Sequence, residues 1–233
     1  MQMVTARTVK RMAGENNPYY PYNKVAEYAT MPNAETLLKK IVDYLLDLPM
    51  KDYTPPSDTS TPRSRLIRLL YYDTPHPLDQ PLPTPAQKIS IVFDPESPDV
   101  APTDRGYRIY PMIYPIQAQS EGQTTLKIFM GWAKPNDLYR VDQSVEFQVL
   151  TNTAYENNDG GTSLSRTYQI CLEILRALNG VNIDGVGGFY FNRKQHVECG
   201  LEPISDKSQN VGYRLTLALS YIGSEGDANS CRC

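Results

Sequence analysis

The sequence predicts an α+β fold, a mostly antiparallel β-sheet with two amphipathic helices packed on one face, plus an extended N-terminal arm and proline-rich loops. Three observations predict it. Two separated runs, around 34–48 and 163–180, repeat apolar residues at helical spacing. Several runs from residue 88 onward alternate apolar and polar residues, the period of a strand with one covered side. Many of the 19 prolines cluster, as in "TPPSDTSTP" and "TPHPLDQPLPTP", where neither element can continue.

In chain order, residues 1–32 lack periodicity and carry Tyr19, Tyr20, Tyr22 and Tyr28 among prolines. Such a segment is expected to lie extended on another surface, with Tyr19, Tyr20 and Tyr22 as candidate arm contacts. Helix one is expected to start at an Asn33 cap, to bury Leu38, Ile41, Leu45 and Leu48 with Leu37 and Tyr44, and to stop before Pro49. A proline-rich loop insertion is placed around 50–87; within it "SRLIRLLYYD" reads equally as short helix or strand. The alternating runs "KISIVFD", "TTLKIFM", "SVEFQVL" and "VGYRLTLALSY" are read as strands, the last with Val211, Tyr213, Leu215, Leu217, Leu219 and Tyr221 on one face. "YRIYPMIYPIQAQ" is extended, but Pro111 and Pro115 confine it to an edge. Helix two has a stripe of Leu164, Tyr168, Cys171, Leu175 and Leu178, a start at Thr162 or Ser163 and an end at Gly180. The α+β domain is thus assigned to 33–222, and 223–233 to a flexible tail.

The glycines Gly185, Gly187 and Gly188 follow helix two and precede "GFYF". A phosphate cradle needs the order strand, glycines, helix, so that helix N–H groups face the anion. Here the helix comes first, and the glycines are expected to turn the chain and let a strand pass close to its neighbour.

Charge and composition exclude other classes. The 23 basic against 26 acidic side chains give a net charge of −3, which argues against a surface built to grip nucleic acid backbone. No run approaches the ~20 apolar residues that span a bilayer, and "MQMVTARTVKRMAGENN" lacks a secretory block. A soluble protein made in a cytoplasm is expected. The charge is uneven: Asp137, Asp142, Glu146, Glu156 and Asp159 stand against Arg140 alone in 135–161, and Arg63, Arg65 and Arg68 form a basic run.

Little chemistry is signalled. His196, Cys199, Cys231 and Cys233 lack the paired spacing of a zinc site, so no metal and no cofactor is expected. Cys171 on the helix stripe reads as a small buried hydrophobe. Of the two histidines, His76 lies between prolines and His196 in a polar loop, and no nucleophile or zinc-hydrolase motif is present. No catalytic residue is assigned, and an enzyme ranks third among the readings.

Residues 124–222 resemble the tail terminator proteins of long-tailed bacteriophages. The resemblance is carried by the acidic strand "SVEFQVLTN", the helix "SRTYQICLEILRALNG" reached through "ENNDGG", and the exit "VNIDGVGGFYF" before "GYRLTLALSY". Helix one also has a counterpart in such folds. The resemblance implies a virion structural protein, assembled in the host cytoplasm: a six-fold homo-oligomeric ring at the neck. Its partners would be itself, the tail tube protein and the head–tail connector or stopper protein, with DNA as non-specific cargo in the lumen and no membrane. Asp142, Glu146, Glu156 and Asp159 would then face either the lumen or a basic patch of Arg63, Arg65 and Arg68 on the adjacent subunit. Another head–tail connector is the runner-up. A carbohydrate-binding β-domain, suggested by the 17 tyrosines, would instead be monomeric with an exposed aromatic cleft.

Overall fold

The computed structural model describes residues 34–48, 60–93, 106–111, 123–135, 140–156, 165–183, 186–191, 199–205 and 210–222. The expected Asn33 cap, the arm with Tyr19, Tyr20 and Tyr22, and the tail 223–233 lie outside these residues.

Helix α1, Ala34–Leu45, buries Leu37, Leu38, Ile41, Val42 and Leu45, with Leu46 just beyond. Its stop is local and precedes Pro49. Asp47 adopts φ 54, Leu48 N–H donates to Asp43 O at 3.2 Å and Asp47 N–H to Tyr44 O at 3.1 Å. That pair of bonds is a Schellman ending, with aspartate where glycine is commonest.

The expected proline-rich loop is largely helical between residues 60 and 90. Helix α2, Pro62–Tyr71, starts on Thr61, whose Oγ1 accepts from Ser64 N–H at 3.1 Å, with proline at the first helical position. It resolves the ambiguous "SRLIRLLYYD" as helix and places Leu66, Ile67, Leu69 and Leu70 in the main core. This part of the chain is core, not insertion. A 3-10 turn, Pro77–Asp79, leads to α3, Pro85–Ser90. The expected strand "KISIVFD" is therefore corrected: Lys88–Ser90 end a helix fixed by the Thr84–Gln87 capping box, and only Val92 bridges Ile109.

The sheet runs β1-β2-β3-β7-β5-β4, with β6 also on β7. Strand β1, Ile109–Tyr110, is parallel to β2, Thr125–Pro135; the other pairings are antiparallel. Strand β3, Arg140–Asn152, pairs β7, Asn210–Ile222, along its whole length. On the far side of β7, β5 (Gly187–Tyr190) takes Ala218–Ser220, and β6 (Gly200–Ser205) takes Val211–Thr216. Strand β4, Asn182–Ile183, forms the last column beside β5.

One face of this sheet carries Leu126, Ile128, Val145, Phe147, Val149, Leu215, Leu217 and Leu219, all at or below 1% exposure. Helix α5, Arg166–Leu178, lies across β3 and β7, α2 packs on α5, and α1 packs on β2. The hydroxyl of Tyr44 on α1 donates to Ala177 O on α5 at 3.3 Å. The start of α5 is Ser165, whose Oγ accepts from Tyr168 N–H, rather than the expected Thr162 or Ser163. Its buried face is centred on Ile170, Cys171, Ile174 and Leu178. Gly180 leaves the helix at φ 79. Gly187, at φ 115, begins the second strand of the short β4–β5 hairpin, so the glycine cluster serves strand pairing after a helix.

Candidate functional site

The sequence-predicted residues fall on two sides of the sheet. The alternation that turns Phe147 into the core turns Glu146 to the outer face, where Glu146 is 21% exposed and Arg214 Nε approaches its Oε2 at 3.6 Å. Arg214 is the hub of that face. Its Nη1 donates to Glu202 Oε1 at 3.0 Å, and Gln148, its partner across β3–β7, places its side-chain amide 3.1 Å from the guanidinium. Register sets Lys127, Gln148, Arg214 and Glu202 side by side across β2, β3, β7 and β6. Asp142 occupies a ladder position between Lys134 and Ser220. Asp159 lies outside the described residues.

The arginine run sits across the core from this face, on α2, and the structure engages each member within the chain. Arg63 pairs with Asp47 at 2.8 Å, lies 4.7 Å over the Tyr44 ring and donates to Tyr44 O. Arg65, 39% exposed, reaches Glu173 on α5 at 2.9 Å. Arg68 is buried and donates to Ser64 O and Leu78 O. Glu156, at the end of the short helix α4 (Thr153–Glu156), accepts from the backbone N–H and the hydroxyl of Thr167. It therefore sits at the N-terminus of α5, where orphan N–H groups and the helix dipole favour a carboxylate.

The strongest polar cluster was not singled out in the sequence. Arg166, 0% exposed, donates from Nη2 to Leu69 O at 2.6 Å and to Tyr72 O, and from Nε to Leu69 O at 3.2 Å. Arg108 donates to Leu70 O at 2.8 Å and grips Asp73 through both terminal nitrogens, at 2.8 and 2.5 Å. Asp73 Oδ1 also lies 3.8 Å from Arg166 Nη2. Two guanidiniums thus hold the carbonyl end of α2, where its dipole is negative. Burial lowers the pKa of Arg166 and Asp73 opposes that shift; an arginine stays charged regardless. Arg166 Nη1 and Thr74 Oγ1 are buried without a partner. A helical wheel puts Arg166 in line with Ile170 and Ile174, but the carbonyls it meets are not in that pattern.

The end of α1 is held in the same way. Buried Lys88 donates from Nζ to Leu46 O at 2.8 Å and to Asp47 O at 3.5 Å. Its pKa is lowered by burial, against the attraction of Asp47.

Among the described residues no group of three His, Cys, Asp or Glu side chains is placed to hold a metal ion. Of the four residues weighed for zinc, Cys199 alone is described, and its thiol donates to Tyr190 O at 3.4 Å. No helix of the described residues is long and apolar enough to cross a membrane. These groups hold helices and strands together, and Glu146, Arg214 and Glu202 form a charge-paired row on the outer sheet face. The exposed large hydrophobics among the described residues are Ile89, Tyr190 and Phe191.

No curated protein and no solved structure matches the chain. Residues 64–219 match the sequence model of the family YomW, a span that begins inside α2 and ends inside β7. It takes in the Arg166 cluster and the whole β2–β3–β7 ladder up to Leu219, about two thirds of the chain. The chain therefore belongs to the YomW family, a phage-derived family of prophage type.

Proposed function

We propose that this protein is a structural component of a bacteriophage neck. It forms a homo-oligomeric ring that ends the tail tube and joins it to the head connector, with DNA passing through the lumen. The observation that carries the reading is a one-sided sheet in a chain of a phage-derived family. Among the described residues, helices α1, α2 and α5 stack on one face, and we take the opposite face to be the one that meets other proteins. The resemblance of residues 124–222 to tail terminators supplies the place in the virion. Because Glu146 and Glu202 on the outer face are balanced by Arg214 and Lys127, this row of the described face carries little net charge. A wall of that kind would let DNA slide without releasing counterions into a tight complex.

The test is direct. A labelled copy of the chain, imaged in intact virions, should sit between head and tail, and its loss should leave heads and tails unjoined. Label anywhere else, or normal head-joined tails without the protein, rejects the reading.

A further inference from the structure

We propose that Arg65 of α2 and Arg176 of α5 form a clip for a carboxylate on an acidic protein segment, with buried Glu173 as the residue that positions both guanidiniums. The clip lies on the helix layer, so it goes beyond the neck reading and stands whether or not the protein sits in a virion.

Of the basic run on α2, Arg65 alone keeps much of its side chain in water. Arg63 is 19% exposed and Arg68 8%, each engaged inside the chain, whereas Arg65 is 39% exposed. A single carboxylate oxygen then joins it to a second arginine. Glu173 Oε1 accepts from Arg65 Nε at 2.9 Å and from Arg176 Nη1 at 2.8 Å, which leaves the two donor atoms no more than about 6 Å apart. Arg176 stands one turn after Glu173 on α5 and is 57% exposed. A guanidinium carries five N–H donors in a fixed fork, and among the described residues neither arginine side chain makes another hydrogen bond. Most of each fork is left for a ligand.

Stability does not account for Glu173. Taking a carboxylate out of water is costly, exposed arginines repay little of that, and its Oε2 is buried with no partner. An apolar residue would join α2 to α5 at lower cost. What the carboxylate supplies is orientation: it draws two long side chains from different helices to one point, so less rotamer freedom remains to be lost when a ligand arrives.

Charge and size select the ligand. Two guanidiniums against one carboxylate leave one positive charge, the complement of a single carboxylate, which meets a guanidinium fork through two parallel hydrogen bonds. The neighbouring Arg68 is buried, and Asp79 attracts it. A nucleic acid strand would need a row of cations. The other arginines of these two helices, Arg63, Arg68 and Arg166, are engaged inside the chain, whose net charge is −3.

Titration of the full-length chain with a fluorescent hexaglutamate peptide at low salt tests this, with hexathymidylate as the nucleic acid control. Wild type should bind the peptide, and more tightly than the oligonucleotide. Arg65→Lys with Arg176→Lys keeps the charge but removes both forks, and should weaken peptide binding about threefold or more. Arg65→Gln, Glu173→Gln and Arg176→Gln together remove the clip without stranding a buried carboxylate, and should weaken it about tenfold or more. Circular dichroism verifies that the variants fold; if the triple variant does not, the lysine pair decides alone. A wild type that ignores the peptide or prefers the oligonucleotide, a lysine pair that binds as wild type does, or a folded triple variant with unchanged affinity would each overturn the proposal.

Discussion

The two faces of the β2–β3–β7 sheet share every backbone hydrogen bond yet are held by different physics. On the helix side, Phe147, Leu217 and their neighbours are removed from water and stabilise by area. On the outer side, Glu146, Arg214 and Glu202 remain 21%, 36% and 60% exposed, in ion pairs that water screens. A strand residue's worth to the fold is therefore set by its parity, not by its strand.

The largest expected effect would break that comparison. Phe147→Ala should cost about 3–5 kcal/mol in urea unfolding, whereas Lys127→Ala on the outer face should stay within about 0.5 kcal/mol. Equal costs would mean that the assignment of faces is wrong. Next comes a contrast of two arginines. Arg166→Met strands Leu69 O, Tyr72 O and part of the charge of Asp73, and should cost about 3 kcal/mol. Arg214→Met should cost less than about 1 kcal/mol. If Arg214 proved the costlier loss, the outer ladder would be holding the fold.

A smaller effect appears only with pH. Burial pushes the Cys171 thiol well above its ordinary 9.0, so the folded chain keeps a proton that the unfolded chain gives up as pH rises past that value. The sign follows: this contribution is complete below pH 9 and is lost above it. The slope is at most about 1.4 kcal/mol per pH unit. Cys171→Ala should flatten that alkaline limb in thermal melts; an unchanged limb would show that the thiol ionises in the folded state. The smallest change sharpens the boundary of α5. Ser165→Ala should cost about 1 kcal/mol and Thr162→Ala almost nothing; the reverse order would return the helix start to the earlier position.

Much of the sheet was legible because one buried side imposes period two, and "SVEFQVL", "TTLKIFM" and "VGYRLTLALSY" keep an apolar residue at every second position. The same rule misled at "KISIVFD". Ile89, Ile91 and Phe93 alternate too, but Thr84, Pro85 and Gln87, two to five residues before Ile89, had already begun a helix. Cap chemistry was the better signal there, as it was for Thr61 and Pro62 at α2. Arg68, Lys88 and Arg166 were illegible for another reason. A charged residue read alone is assigned to solvent, and only tertiary structure reveals a helix end whose carbonyls need a cation. Glu146 reads as an acid on a strand, and β3 carries it. Its partner Arg214 is 68 residues away in sequence, a proximity that register alone supplies.

The sharing of β7 between β3 on one side and β5 with β6 on the other has a consequence for synthesis. Strand β3 is made some sixty residues before the strand that completes its pairing, and β5 and β6 likewise await their partner. A nascent chain therefore carries unsatisfied strand edges until residues 210–222 clear the ribosome, and folding must follow rather than accompany translation of this region. Ribosomes stalled before residue 210 should hold a protease-sensitive chain, and each release of a finished one should close the sheet in a single late step.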